Sequence, residues 1–201
     1  MAVKKKQLEM QLQKIPDFLS PKLYYEQYMT PADIAADFLI EIWLRGDIYG
    51  RTVLDAGCGT GRLSYGSILL GAKKVHSLDV DDDALDQFRN FCTAEGIENV
   101  EYHNSKVSDW KGYVDTVISN PPFGSQKKHA DRPFLEKAFE ISDKVYSLHL
   151  METADFIKIM GTSSGFHTEI IREYKFELPR VYGHHRKERV YVNVGMFGFV
   201  K

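Results

Sequence analysis

Apolar residues fall along this chain in two rhythms, and each change of rhythm marks an element. Behind the basic opening MAVKKK, residues Leu8, Leu12 and Ile15 recur at helical spacing. They predict an amphipathic helix that ends near Pro16. Ile34, Ala35, Phe38, Leu39 and Ile42 share one face of a second helix over 31–44, with Thr30 as N-cap and Pro31 at the first helical position. From Thr52 onward, short β-branched runs alternate with helical stretches. Strands are predicted over 52–56, 75–80, 100–103, 113–119 and 144–150, and helices over 62–70, 82–95, 133–141 and 153–160. Two long alternating stretches, 167–178 and 188–200, read as an antiparallel hairpin at a sheet edge. The β-α-β-α order predicts an α/β fold: a Rossmann-like, seven-stranded, mostly parallel sheet with helices on both faces and a C-terminal antiparallel hairpin.

Length and composition narrow this further. The 201 residues suit one domain, and no Pro/Gly/Ser-rich linker divides them. Residues 1–201 are therefore read as a single domain, with 1–45 as a helical extension. A net charge of −2 excludes wholesale binding to polyanions, so nucleic-acid contacts would have to come from local basic patches. Cys58 and Cys92 have neither pairing nor metal spacing, which suits a reducing, cytoplasmic setting. The basic N-terminus lacks a following apolar region of the kind a secretory leader has. No apolar run approaches the roughly 18 residues of a membrane span, so no membrane partner is expected.

Two segments carry candidate chemistry. Val53 to Gly61 reads VLDAGCGTG, in which Gly57, Gly59 and Gly61 open a strand-to-helix turn. Glycine permits positive φ and close approach of a ligand. A dinucleotide fingerprint would place its third glycine at position 62, where this chain has Arg62. Asp55 precedes the loop, and Asp79 ends the next strand, where a carboxylate can accept both hydroxyls of an adenosine ribose. The pattern points to an adenosine-type cofactor. Asp81, Asp82 and Asp83 suit the first turn of a helix, and no metal site is expected there. The second segment is NPPFGSQKKHADRPF, residues 120–134. Its prolines cannot continue a ladder, and they would hold one amide, one carbonyl and one ring in a fixed extended shape. Lys127, Lys128, His129 and Arg132 follow at once, and Arg186 and Lys187 lie between the last two strands. Both groups are candidate phosphate contacts. The adjacent His184 and His185 do not by themselves make a zinc site. Cys58 is read as a small loop residue and Cys92 as core, while at least one of Tyr24 and Tyr25 is read as a core aromatic.

The glycine loop, the acid at Asp79 and Asn120-Pro121-Pro122-Phe123 appear in the order found in class I S-adenosylmethionine (SAM) methyltransferases of the amino-methylating kind, which this chain resembles. Glu26-Gln27-Tyr28-Met29-Thr30-Pro31 and Phe123-Gly124-Ser125-Gln126 extend the resemblance over nearly the whole chain, to the methyltransferase-like protein 5 family and its archaeal relatives. The resemblance implies methyl transfer from SAM to N6 of an adenosine in small-subunit ribosomal RNA. By it, Asn120 and the Pro121 carbonyl accept the two N–H bonds of the amine, Pro122 holds their geometry, and Phe123 stacks on the flipped base. It also places Gln27, Tyr28 and Thr30 over the methionine end of SAM. Asp55, Gly57, Cys58, Gly59, Asp79 and Val80 would hold the rest, with Val107 beside the adenine. Lys106 stands where relatives carry an acid that reads the adenine amine, leaving Asp109 or a backbone group to substitute. A small zinc-ribbon activator subunit is a further implied partner. Two other functions fit parts of the pattern. A glutamine N5-methyltransferase would have Tyr after the prolines and an extra N-terminal domain. A weakly catalytic SAM- and RNA-binding ribosome assembly factor would fit Lys106.

Overall fold

The computed structural model describes residues 4–124, 129–179 and 189–201. Seven strands, β1 (Thr52–Ala56), β2 (Lys74–Asp79), β3 (Val100–Asn104), β4 (Thr116–Ser119), β5 (Lys144–Leu150), β6 (His167–Pro179) and β7 (Arg189–Val200), form one sheet in the order β3-β2-β1-β4-β5-β7-β6. The first five are parallel, and β7 runs antiparallel between β5 and the edge strand β6. The helices are α1 (Lys5–Leu12), α2 (Ala32–Leu44), α3 (Arg62–Leu69), α4 (Asp82–Glu95), α5 (Arg132–Ile141) and α6 (Ala154–Ser163). Among the described residues, none of them is long and apolar enough to cross a membrane.

Strand alternation sends successive side chains to opposite faces. Val53, Val75 and Ile118 join Leu12, Phe38, Leu39 and Phe88 in a core under α1–α4. Leu54, Leu78 and Val117 join Leu135, Phe139, Ile157 and the stacked Phe197 and Phe199 under α5 and α6. The sheet is thus covered on both faces, as its parallel half requires.

The predicted elements recur with small shifts, each with a local cause. Strand β4 starts at Thr116 rather than residue 113, because Asp115 turns its carboxylate to accept from Thr52 N (2.7 Å), and Tyr113 stays exposed. Helix α2 starts at Ala32, with Pro31 as the N-cap residue and its carbonyl accepting from Ala35 N (2.8 Å). The expected Thr30 cap is not formed, since the Thr30 hydroxyl is engaged elsewhere. The acids before α4 behave as expected: Asp81 caps the helix by accepting from Asp83 N (3.2 Å).

Strand order reverses at β1, whose neighbours are β2 and β4. In open α/β sheets, ligands bind outside the carboxyl ends of strands at such a switch point. Here those ends are the glycine loop after β1, Asp79 on β2 and Asn120 after β4.

Candidate active site

The glycine loop is pinned to its neighbouring strand. Gly57 N and Cys58 N both donate to Leu78 O, at 2.8 and 3.0 Å. Gly61 has φ +88°, and a Cβ there would lie 2.3 Å from the buried Phe88 ring, so only glycine fits. Arg62 then opens α3. Its guanidinium donates to the carbonyls of Leu12 (3.2 Å), Ile15 (3.4 Å) and Thr30 (2.7 Å). That is the use of the side chain that displaces a dinucleotide-type glycine: it ties the N-terminal extension to the loop.

Two carboxylates stand at this end of the sheet. Asp79 accepts from Gly59 N (2.8 Å) and Asp81 N (2.9 Å), and burial raises its pKa. Asp55 accepts from the Ser64 hydroxyl (2.7 Å) through Oδ2. Its Oδ1 is buried and has no hydrogen-bond partner among the described residues. Burial pushes the Asp55 carboxyl up to about 7, against the opposing bonds from Ser64. The buried Cys58 thiol is also pushed up by burial, which removes it as a nucleophile.

Residues 18–30 form a strap over these groups. Lys22 donates to Asp81, and to Asp83 at 2.7 Å. Gln27 donates to Asp81 (2.5 Å) and accepts from Lys22 N (2.6 Å), so its side chain is occupied in holding the strap. Glu26, at φ 52°, accepts from Gly124 N (3.1 Å). Tyr24 and Tyr25 are both exposed on the strap, contrary to the expectation of a core aromatic. Tyr28 is packed 5.3 Å from Phe123 and 5.7 Å from Phe176, and burial raises its phenol pKa.

At the end of β4, Asn120 Nδ2 donates to Thr30 Oγ1 at 2.9 Å. This is why Thr30 does not cap α2. Asn120 Oδ1 is buried and has no hydrogen-bond partner among the described residues. The Phe123 ring is braced edge-on by Phe176 at 5.8 Å.

These groups enclose one cleft of about 350 Å³, within the range of small-ligand sites. It gathers most of the sequence-predicted residues: Gln27, Tyr28 and Thr30 from the strap, Asp55 from β1, Gly57, Cys58 and Gly59 from the loop, Asp79 at the end of β2 and Val80 just after it, Val107, then Asn120, Pro122 and His129. Pro121 is buried, and neither it nor Phe123 lines the cleft; the Phe123 ring packs against Tyr28 and Phe176. Arg132 does not line the cleft; it faces outward on α5 and pairs with Glu136 at 2.7 Å. Lys127, Lys128, Arg186 and Lys187 lie outside the described residues. Phe18, Thr60, Leu63 and Phe134 also line the cleft, and sequence reasoning missed them. Thr60 sits inside the glycine loop and Phe134 closes the 120–134 segment, so both lie within stretches already singled out, whereas Phe18 and Leu63 have no such neighbourhood and reach the cleft only through chain packing. Lys106 and Ser108 flank Val107 in the wall, while Asp109 lines a different cleft.

Acceptors converging on one mostly apolar cleft suit a ligand that carries both hydrogen-bond donors and positive charge, as SAM does with its ribose hydroxyls, ammonium and sulfonium. This set of acceptors therefore fits the cofactor. Comparison with known proteins points the same way. The family model described as the methyltransferase small domain matches residues 29–148. The uncharacterised protein MJ0284 of Methanocaldococcus jannaschii is 37% identical, over 99% of this chain and 95% of its own. The rRNA N(6)-adenosine-methyltransferase METTL5 of Danio rerio is 36% identical, over 98% of this chain and 99% of its own. The crystal structure of PH1948 from Pyrococcus horikoshii, provisionally described as an RNA methyltransferase, has a TM-score of 0.90 at 43% identity and covers 100% of this chain and 99% of that one. The chain belongs to the methyltransferase small domain family, and it is a methyltransferase whose methyl donor is S-adenosylmethionine.

Proposed function

We propose that this protein methylates the exocyclic N6 amine of an adenosine in structured RNA, with small-subunit ribosomal RNA as the substrate class. The observation that carries the proposal is Asn120 Oδ1, a buried acceptor without a partner among the described residues, held at the cleft through the Thr30–Asn120 bond. Similarity to the rRNA N(6)-adenosine-methyltransferase METTL5 over 98% of the chain supports the choice of RNA adenosine.

SAM supplies an electrophilic methyl group on a sulfonium. The protein must make a poor nucleophile ready for it, since the lone pair of an adenine amine is delocalised into the ring. Asn120 Oδ1 and the Pro121 carbonyl accept its two N–H bonds and favour a more tetrahedral nitrogen, which frees the lone pair. Proline suits position 121 because it keeps its carbonyl while fixing its own φ. Phe123, braced by Tyr28 and Phe176, is the proposed stacking ring for the flipped base. Most of the acceleration in this reading comes from positioning and fixed dipoles rather than a strong base.

On the cofactor side, Asp79 is assigned to the ribose hydroxyls, Asp55 Oδ1 to a donor group, and Val80 and Val107 to apolar contact. Gln27 is assigned a positioning role, because its amide is already bonded to Asp81 and Lys22. Lys127, Lys128, His129, Arg186 and Lys187 remain the proposed phosphate contacts, and Arg132 ranks below them because its charge is paired with Glu136. A small zinc-ribbon activator and a cytoplasmic location belong to the same reading.

The test is methyl transfer from labelled SAM to unmodified small-subunit ribosomal RNA, with and without such an activator, followed by nucleoside mass spectrometry. N6-methyladenosine that disappears in Asn120→Ala, with SAM binding retained, is the expected result. Label on protein glutamine in place of RNA would overturn it, as would SAM binding with no transfer to any acceptor under both conditions.

A further inference from the structure

We infer that His76, Glu101 and His103 form a binding site for a divalent transition-metal ion, with zinc as the reference ion, on the β2–β3 edge of the sheet. Nothing in their spacing announces it, since His76 and His103 lie 27 residues apart. Strand pairing brings them together. His76 on β2 stands directly opposite Glu101 on β3, and His103 follows two residues along on the same face.

The geometry suits one ion. His76 Nδ1 lies 3.0 Å from His103 Nε2 and 3.2 Å from Glu101 Oε2, and His103 Nε2 lies 3.9 Å from the same oxygen. A triangle of those sides has a circumradius of about 2.0 Å, so an ion at its centre lies about 2.0 Å from all three atoms, within the range of zinc–nitrogen and zinc–oxygen bonds. Two imidazoles and one carboxylate are a recognised zinc donor set that leaves a further position for water. The surroundings complete it. Lys74 Nζ holds the other Glu101 oxygen at 2.6 Å, fixing the carboxylate's orientation as outer-shell partners do. The Trp110 ring lies against both imidazoles, with centroids at 5.1 and 4.8 Å, and forms the wall of an open cleft beside them. A bound ion would clamp the edge strand β3 to β2, whose ends carry Lys106 and Asp79 into the reaction cleft.

The competing arrangement is an ion-free hydrogen-bond network between the same atoms. The chain has two tryptophans, so Trp43→Phe leaves Trp110 as the sole indole reporter. The full-length protein in that background is stripped with chelator and titrated with zinc by calorimetry and with Cu²⁺ by fluorescence quenching. One zinc equivalent at micromolar affinity or tighter is expected, with Trp110 quenching by Cu²⁺. His103→Ala should weaken zinc binding by at least about tenfold, and Glu101→Gln, which keeps size and hydrogen bonding, should weaken it with the fold intact by circular dichroism. His184→Ala/His185→Ala should change neither readout. No stoichiometric binding, or binding that survives both cluster variants or vanishes with His184 and His185, overturns the site.

Discussion

Removing the Thr30 hydroxyl tests the role of Asn120 without altering Asn120. Thr30 Oγ1 accepts from Asn120 Nδ2 at 2.9 Å, and Thr30 is buried. Thr30→Ala leaves that amide donor without its partner, at a cost of about 1–3 kcal/mol. The penalty falls on one orientation of Asn120. An amide that turns to satisfy its NH₂ elsewhere also swings Oδ1 away from the position in which the proposed mechanism has it accept from the substrate amine. At RT of about 0.59 kcal/mol, the cost corresponds to a loss of about 5- to 150-fold in the competent population. Single-turnover transfer to RNA should fall by a factor in that range, while the SAM dissociation constant by calorimetry stays within about threefold. Thr30→Ser keeps the hydroxyl and should restore most of the rate. Weakened SAM binding with an unchanged single-turnover rate at saturating SAM would refute the reasoning, since the hydroxyl would then serve the cofactor rather than Asn120.

Three further outcomes follow from the same contacts. Gly61→Ala combines a left-handed backbone with a Cβ placed 2.3 Å from Phe88, so urea unfolding should show a loss of about 2–5 kcal/mol. Asp55 titrates at about 7 when folded against 3.8 ordinarily, so the folded state holds a proton that the unfolded chain releases first. Its contribution to stability is complete below about pH 4 and is lost as pH rises through about 7, and Asp55→Asn should narrow the difference between unfolding free energies at about pH 5 and about pH 8. Arg62→Ala frees three carbonyls of the extension. It should cost about 2–4 kcal/mol and expose residues 13–22 to limited proteolysis.

The framework was legible because periodicity and turn chemistry are local. Helix α4 and strand β5 carry their own boundaries: the Asp81 cap and Gly96 at φ 67° bracket one, and an apolar alternating run makes the other. The glycine loop, Asp79 and Asn120 were legible for a related reason, since each lies at a strand end with a distinctive spacing. Thr30 shows the limit. Its position before Pro31 satisfies the rule for a helix cap, but an amide ninety residues away in sequence competes for the hydroxyl and wins. At least one of Tyr24 and Tyr25 is expected in the core, yet Lys22 and Gln27 anchor the strap so that both rings are exposed and line the cleft. Phe18, Leu63 and the His76–Glu101–His103 group become meaningful only through strand order and chain packing, which no short window contains.

The strap belongs to both halves of the cleft. Lys22 and Gln27 fasten it to Asp81, beside the carboxylate assigned to the cofactor, and Glu26 fastens it to Gly124, just past the tetrad proposed to meet the acceptor. Any free energy that one ligand spends on ordering this segment is a free energy the other no longer has to supply. Linkage then makes the effect reciprocal: the factor by which cofactor tightens the acceptor is the factor by which the acceptor tightens cofactor. A weakened Glu26 contact should therefore shrink the coupling between the two sites more than either affinity measured alone.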